Sequence, residues 1–113
     1  MYRYYLSDHF KRQIKPYVKK YPSFIGDVIR TLRAFDKRRS IPLGAETYKI
    51  RMSVTGLSKG KSGAMRIIVL LVEVEDIIAP LFLYFKGDRE SLSKQEVIYH
   101  AQAVQRELEA KFG

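Results

Sequence analysis

The sequence predicts a single α+β domain in which helices pack on a mainly antiparallel sheet of about four strands. Apolar residues recur every three or four positions before residue 40 and at every second position around 48–54. Two nearly continuous apolar runs then follow, and a last helical stripe ends the chain. With 113 residues, 46% of them hydrophobic, the chain is long enough for one core and too short for two, so we assign 1–113 to one domain.

The first half of the chain is predicted to hold a short strand and a pair of helices. Residues 2–6 are rich in aromatic side chains, which is typical of a strand. Ser7 is a candidate N-cap for a first helix, and Pro16 is expected to bend that helix. After a break at Tyr21-Pro22-Ser23, a second helix is indicated by the apolar stripe Ile25, Val28, Ile29, Leu32 and Phe35.

The second half is predicted to form most of the sheet and the last helix. A loop at 40–46 leads to a strand at 48–54, whose side chains face opposite sides in alternation. The apolar runs 65–74 and 77–85 should be central strands covered on at least one face, and Pro80 should mark a bulge or an unpaired edge position. Ser91 or Ser93 is expected to cap a helix with the apolar stripe Val97, Ala101, Val104 and Leu108.

Positive charge is unevenly distributed along the chain. The formal net charge is +9, and the stretch 47–72 contains no acidic residue. Its basic residues are Lys49, Arg51, Lys59, Lys61 and Arg66. Such a one-sided run repels itself, which favours a surface that meets a polyanion. We therefore expect a cationic face for nucleic acid or another acidic partner, whereas the scattered lysines on helix surfaces are explained by solubility alone.

Several classes of protein are excluded by composition. The chain has no cysteine, which rules out disulfides and thiolate metal sites and fits a reducing cytosol. No set of metal ligands is apparent, so no metal and no cofactor are expected. No apolar run approaches the roughly 18–20 residues that span a bilayer, and the N-terminus does not resemble a signal peptide. We expect a soluble cytoplasmic protein without a membrane partner.

The string Gly60-Lys61-Ser62 imitates the end of a nucleotide-binding P-loop, but the rest of that motif is missing. A P-loop places four residues between its glycines, whereas Gly56 and Gly60 enclose three. It also needs a helix after the serine, because the helix N-terminus holds the phosphates. The apolar, β-branched run that follows here predicts a strand instead.

A series of short strings, taken in order, resembles the RelE/HigB-type toxins of bacterial toxin–antitoxin systems, within the RelE/ParE superfamily. The matching strings are Tyr21-Pro22-Ser23, Pro42-Leu43-Gly44, Tyr48-Lys49-Ile50-Arg51, the turn 59–63 with Arg66 after it, and Tyr84-Phe85-Lys86. The likeness runs over nearly the whole chain. The chain departs from the pattern at Phe85-Lys86-Gly87, where relatives usually show Asp or Ala, then Lys and Asn or Ser, and at Ala64, where they commonly have glycine.

This resemblance implies a RelE-like fold and the function of a type II toxin. Such a toxin is a ribosome-dependent endoribonuclease that cleaves mRNA and blocks translation, and a cognate antitoxin silences it. The expected partners are therefore the ribosome, mRNA and an antitoxin, which should be acidic because this chain carries +9. The alternative is a non-catalytic inhibitor or binding module on the same scaffold, as in ParE relatives thought to act on DNA gyrase, since a fold does not fix a function.

Metal-independent RNA cleavage needs a base, an acid and cations that stabilise charge on the phosphate. Capping or solvent-exposed roles are favoured for His9 and His100, although His100 stays a candidate if the last helix folds over the sheet. The next candidate base is a lysine whose pKa is lowered by neighbouring cations. With the resemblance, the predicted catalytic residues are Lys59, Lys61, Arg66 and Lys86, and the predicted RNA contacts are Lys49, Arg51, Ser62 and Tyr84. The plainer alternatives are a solvated edge for Lys49, a turn residue for Ser62 and a core residue for Tyr84.

Overall fold

A computed structural model describes residues 2–57 and 65–112. In those residues the elements follow one another as β1 (Arg3–Tyr4), α1 (Asp8–Lys20), α2 (Phe24–Arg33), a 3-10 turn (Lys37–Arg39), β2 (Ile41–Gly44), β3 (Thr47–Met52), β4 (Met65–Val72), a second 3-10 turn (Glu73–Glu75), β5 (Ile77–Phe85) and α3 (Lys94–Phe112). The α+β class, the N-terminal helical pair and the C-terminal helix agree with the prediction. No helix in these two stretches is both long enough and apolar enough to cross a membrane.

The strands form one sheet in the order β1-β5-β4-β3-β2, antiparallel except for the pairing of β1 with β5. The two apolar strands are central, as predicted. The sheet has five strands where about four were expected, because part of the predicted loop 40–46 is strand β2, paired with β3. Ala45 and Glu46 connect them with φ angles of 52° and 63°. This left-handed turn suits the twist of a hairpin, but its residues are not the Asn-Gly that usually signals one.

Each face of the sheet has its own apolar core. The helical-pair face packs against α1 and α2, and its buried residues include Tyr48, Met52, Met65, Ile67, Val69 and Leu83. The α3 face packs against α3, and its buried residues include Ile68, Leu70, Ala79, Leu81 and Tyr84. β3 obeys the predicted alternation, since Tyr48 and Met52 belong to the first core. The central strands are thus covered on both sides.

Pro80 lies beside a β-bulge in a central strand. The register between β4 and β5 shifts where Ile68 pairs with Phe82 and Val69 pairs with Pro80, so Leu81 is the extra residue. The carbonyl oxygen of Leu81 accepts a hydrogen bond of 2.7 Å from the Gln13 side chain. The predicted bulge is therefore confirmed.

Local side-chain caps set the ends of two helices. Ser7 Oγ accepts a hydrogen bond from the Phe10 amide at 3.0 Å, which confirms the predicted cap, and α1 continues through Pro16. At α3, Ser93 and Glu96 form a reciprocal capping box, with distances of 3.1 and 2.9 Å. Of the two predicted candidates, Ser93 is the cap of α3.

Candidate nucleic-acid interface

The pairing register aligns three predicted site residues across the sheet. Arg66 of β4 lies opposite Arg51 of β3 on one side and opposite Tyr84 of β5 on the other. Directly opposed residues of an antiparallel sheet project from the same face. That face is the α3 face, because Ile68 and Leu70, which alternate with Arg66, belong to its core. We call Arg51, Arg66 and Tyr84 the cross-strand row.

The arginines of the row differ in their surroundings. Arg66 is partly buried, and its Nη1 donates to the Met65 carbonyl oxygen at 3.2 Å. Arg51 is exposed, and it forms no ion pair with any carboxylate of residues 2–57 and 65–112. Lys49 lies two residues before Arg51 on the same face, opposite Ile68. The β3 end of the α3 face thus presents cations where its other end is apolar.

Tyr84 is a core residue of the α3 face. Only 3% of its surface is exposed, and its hydroxyl donates to the Glu90 carbonyl oxygen at 3.2 Å. Burial raises the pKa of Tyr84, while the charges of Arg66 and Arg89 act in the opposite direction. An RNA base could stack on this ring only if the segment that follows β5 moved aside, so base stacking by Tyr84 stays a prediction.

Arg89, which no sequence pattern singled out, lies between Tyr84 and the start of α3. Its guanidinium carbon is 6.0 Å from the centre of the Tyr84 ring, and its Nη2 donates to a Glu96 carboxylate oxygen at 2.7 Å. This hydrogen bond is the main reason that the pKa of Glu96 falls to about 2. Arg89 thus links Tyr84, at one end of the cross-strand row, to Glu96 in the cap of α3.

The remaining predicted residues are placed as follows. Lys86 is exposed in the turn after β5. Lys59, Lys61 and Ser62 lie outside the described residues, so their roles stay predictions. No group of three or more His, Cys, Asp or Glu within the described ranges could hold a metal ion.

The two histidines, far apart in sequence, meet between α1 and α3. His9 Nε2 and His100 Nδ1 are 2.7 Å apart, and the His100 ring centre lies 4.8 Å from that of Phe82. Helix α3 therefore does fold over the sheet, the condition under which His100 remained a candidate base. Burial is the main cause that lowers the pKa of both residues. A neutral pair can share one hydrogen bond, with one ring donating and the other accepting.

A buried carboxylate fixes an arginine on α2 beside the end of β3. Asp27, 1% exposed, accepts hydrogen bonds of 2.8 Å from the amide and the hydroxyl of Thr55. It also accepts one of 2.7 Å from Arg30 Nη1, while Arg30 Nη2 donates to the Ser53 carbonyl oxygen at 3.2 Å. Burial by itself would raise the pKa of Asp27, but the hydrogen bonds from Thr55 and Arg30 lower it. No sequence pattern indicated this role for Arg30.

Comparison with known proteins finds similar solved structures but no matching family model. No protein-family profile matches the chain, and no curated protein sequence matches it. Among solved structures, the chain is similar to a mutant of the E. coli toxin RelE in the free state, with 13% sequence identity and a TM-score of 0.48. The alignment covers 93% of this chain and 96% of that one.

Proposed function

We propose that the protein is the toxin of a type II toxin–antitoxin system and cleaves mRNA on the ribosome without a metal. The observation that carries this proposal is the strand register, which sets Arg51 and Arg66 side by side at the β3 end of the α3 face. Arg66 is partly buried within an otherwise apolar strand, a costly position for a charge that only serves solubility. The sequence resemblance to RelE/HigB-type toxins assigns these same residues to RNA.

The chemistry requires the 2′-hydroxyl of one nucleotide to lose its proton to a base and attack its own 3′-phosphate, which forms a 2′,3′-cyclic phosphate. The bond from phosphorus to the 5′-oxygen of the next nucleotide breaks, and an acid protonates that oxygen. Arg51 and Arg66 would bind the phosphate and stabilise the additional negative charge of the transition state, since guanidinium groups stay charged and can donate two parallel hydrogen bonds. Lys59, Lys61 and Lys86 would supply the base, the acid or further positive charge. The stretch that carries Lys59 and Lys61 joins β3 to β4, and those strands hold the two arginines.

A lysine is favoured over His100 as the base because of the contacts His100 already makes. Its Nδ1 is engaged with His9, and its ring lies against Phe82 and Tyr99. These contacts fit a residue that holds α3 against α1. A lysine crowded by other cations is the alternative, because neighbouring positive charge favours the neutral form that a general base needs.

The proposed partner is an acidic antitoxin, with the ribosome and mRNA as targets. A chain of net charge +9 should associate with such a partner rapidly and in a salt-sensitive way. The antitoxin would either cover the cationic end of the α3 face or displace an element that shapes it. Helix α3 presents Tyr99 and Phe112, 61% and 55% exposed, as apolar contacts for a segment that folds on binding.

The test is induced expression of the wild type, of Arg66→Ala and of the control Lys15→Ala, whose side chain is exposed on α1. The wild type and the control should arrest growth and leave cleaved transcripts, mapped by sequencing 5′ ends. Arg66→Ala should lower cleavage by about 100-fold or more, as loss of a transition-state donor typically does. Co-expression of the acidic product of the neighbouring gene should restore growth and copurify with the toxin.

Two results would contradict the proposal. One is equal toxicity of the wild type and the double variant Lys61→Ala/Arg66→Ala. The other is an intact transcript pool together with a DNA-damage response, which would favour the ParE-like alternative.

A further inference from the structure

A cleft of about 370 Å³ lies between α2, the first 3-10 turn and the edge of β3. Strand β2 pairs with β3 only as far as Lys49, so within the described residues no strand covers that edge at Arg51. Arg30, Arg39 and Arg51 line the cleft together with hydroxyl groups and the apolar side chains of Phe35 and Ile50. Its volume lies within the range of about 300–1,000 Å³ that is usual for sites of small ligands.

Arg30 is held in place before any ligand arrives. Its side chain is 56% exposed, yet it is fixed by the buried Asp27 carboxylate and by the Ser53 carbonyl oxygen. A guanidinium has five N–H donors, and these two bonds leave three of them for a ligand. A fixed guanidinium gives up less conformational entropy when it binds an anion, which favours binding.

The cleft offers a different group to each part of a nucleotide. Three guanidinium groups line the cleft, and two carboxylates lie next to them: Asp27 is paired with Arg30, and Asp36 with Arg39. The net charge at the cleft is therefore positive. Phe35 and Ile50 form an apolar wall against which a base can pack. The hydroxyl groups that line the cleft belong to Thr31, Ser40 and Ser53. They can hydrogen-bond to a ribose.

Arg51 connects the cleft to the cross-strand row, because it lines the former and pairs with Arg66 in the latter. We infer that the cleft binds one nucleotide of the RNA strand whose neighbouring phosphate lies at Arg51 and Arg66. Its phosphate contacts Arg30 and Arg39, and its base packs against Phe35. This inference rests on the proposed function, to which it adds the path of the RNA. The strand would run from the cross-strand row, over the edge of β3 beyond Lys49, towards α2.

The chain offers a matched pair of variants to test the cleft. The side chains of Arg38 and Arg39 are 89% and 88% exposed, and both lie within 4.0 Å of an Asp36 carboxylate oxygen, but only Arg39 lines the cleft. Binding is measured by fluorescence anisotropy with a labelled five-nucleotide RNA whose 2′-hydroxyls are methylated, so that it cannot be cleaved. Arg39→Ala should raise the Kd about fivefold and reduce the slope of log Kd against log salt by about 0.7, the loss of one phosphate contact. Arg38→Ala should leave both quantities unchanged.

A second pair tests the cleft without removing an arginine. Ala34 lines the cleft at the end of α2, and Ala34→Glu should weaken binding of the oligonucleotide more than Ala34→Gln, which adds a side chain of the same size without the charge. Thermal melting of each variant reports its folding. Equal binding by Arg38→Ala and Arg39→Ala would overturn the inference even if Arg66-dependent cleavage is found. If adenosine 5′-monophosphate competes as well as an unlabelled five-nucleotide RNA, the cleft is a site for free nucleotides and the inference is wrong.

Failure of the proposed function is distinguishable from failure of the cleft. A wild type that binds the oligonucleotide with dependence on Arg39, but leaves cellular transcripts intact, would refute the nuclease and retain the cleft as an RNA-binding site.

Discussion

The two faces of the same sheet differ in how far their apolar cores extend. On the helical-pair face, β3 and β4 bury an apolar residue at nearly every inward position, from Tyr48 and Met52 to Ile67 and Val69. On the α3 face the core is continuous only over β4 and β5, and the β3 end carries Lys49 and Arg51 instead. Helix α3 therefore covers only part of its face, and the cations lie where that cover ends.

Strand β3 joins apolar residues of the core to cations that face solvent. Neighbouring residues of a strand point to opposite faces, so Ile50 and Met52 can support the core while Arg51 faces outward. Arg66 is less exposed than Arg51, because it lies between the buried residues Met65 and Ile67 and is itself partly buried. Substitutions on the helical-pair face should therefore lower stability, whereas substitutions of the cations on the α3 face should change RNA binding.

The largest effect on stability is expected on the helical-pair face. Ile67 is fully buried, and Ile67→Ala should lower the free energy of unfolding by about 2–5 kcal/mol through lost burial and the cavity left behind. Arg51→Ala, at the exposed end of the other face, should change it by no more than about 0.5 kcal/mol. Urea unfolding of both variants measures the difference. A comparable loss of unfolding free energy in Arg51→Ala would show that this arginine contributes to the core. The two faces would then not differ in their contribution to stability.

A smaller effect is expected where α2 is tied to the end of β3. Asp27→Asn should lower the free energy of unfolding by about 1–3 kcal/mol at pH 7, because the hydrogen bonds from Thr55 and Arg30 to the buried carboxylate are weakened or lost. The folded-state pKa of Asp27 lies below its usual value, so its contribution is complete above about pH 4 and is lost as the pH falls through the folded pKa. Urea unfolding from pH 7 to pH 2 should show a shallower acid loss in Asp27→Asn.

The matched control for Asp27 is Asp88→Asn, which changes an exposed carboxylate in the turn after β5. It should leave stability at pH 7 within about 0.5 kcal/mol of the wild type. An acid loss in Asp27→Asn as steep as that of the wild type would assign the pH dependence to other carboxylates.

The smallest effect is expected at the junction of α1 and α3. The pKa values of His9 and His100 are lowered in the fold, so protonation favours the unfolded chain, and stability should fall as the pH drops below about 6.5. Charged groups that act on the pair are Arg12, Glu107, Glu96 and Arg89. Thermal midpoints between pH 7.5 and 5 should fall less in the double variant His9→Gln/His100→Gln than in the wild type. The chain has two histidines in all, so an unchanged pH dependence in that variant would exclude them as its cause.

Local features of the fold were predictable because their causes are local. The caps at Ser7 and Ser93 depend on residues within three positions of each serine. The alternation along β3 and the bulge beside Pro80 likewise follow from backbone geometry and from the missing N–H of proline. Direct cross-strand partners share a face, which is why Arg51 and Arg66 lie side by side.

The tertiary structure alone determined what covers each surface. A periodic pattern shows that a side chain is buried but does not name its partner. The contact of His9 with His100 and the hydrogen bond from Tyr84 to Glu90 therefore had no sequence signal. The same holds for the cleft, where Arg30 and Arg51 come from a helix and a strand 21 positions apart. The helices, the strand alternation and the cationic residues of β3 and β4 follow from the sequence. Long-range packing determined which cations lie close together and that the Tyr84 ring is buried, because such contacts depend on how α2 and α3 pack on the sheet.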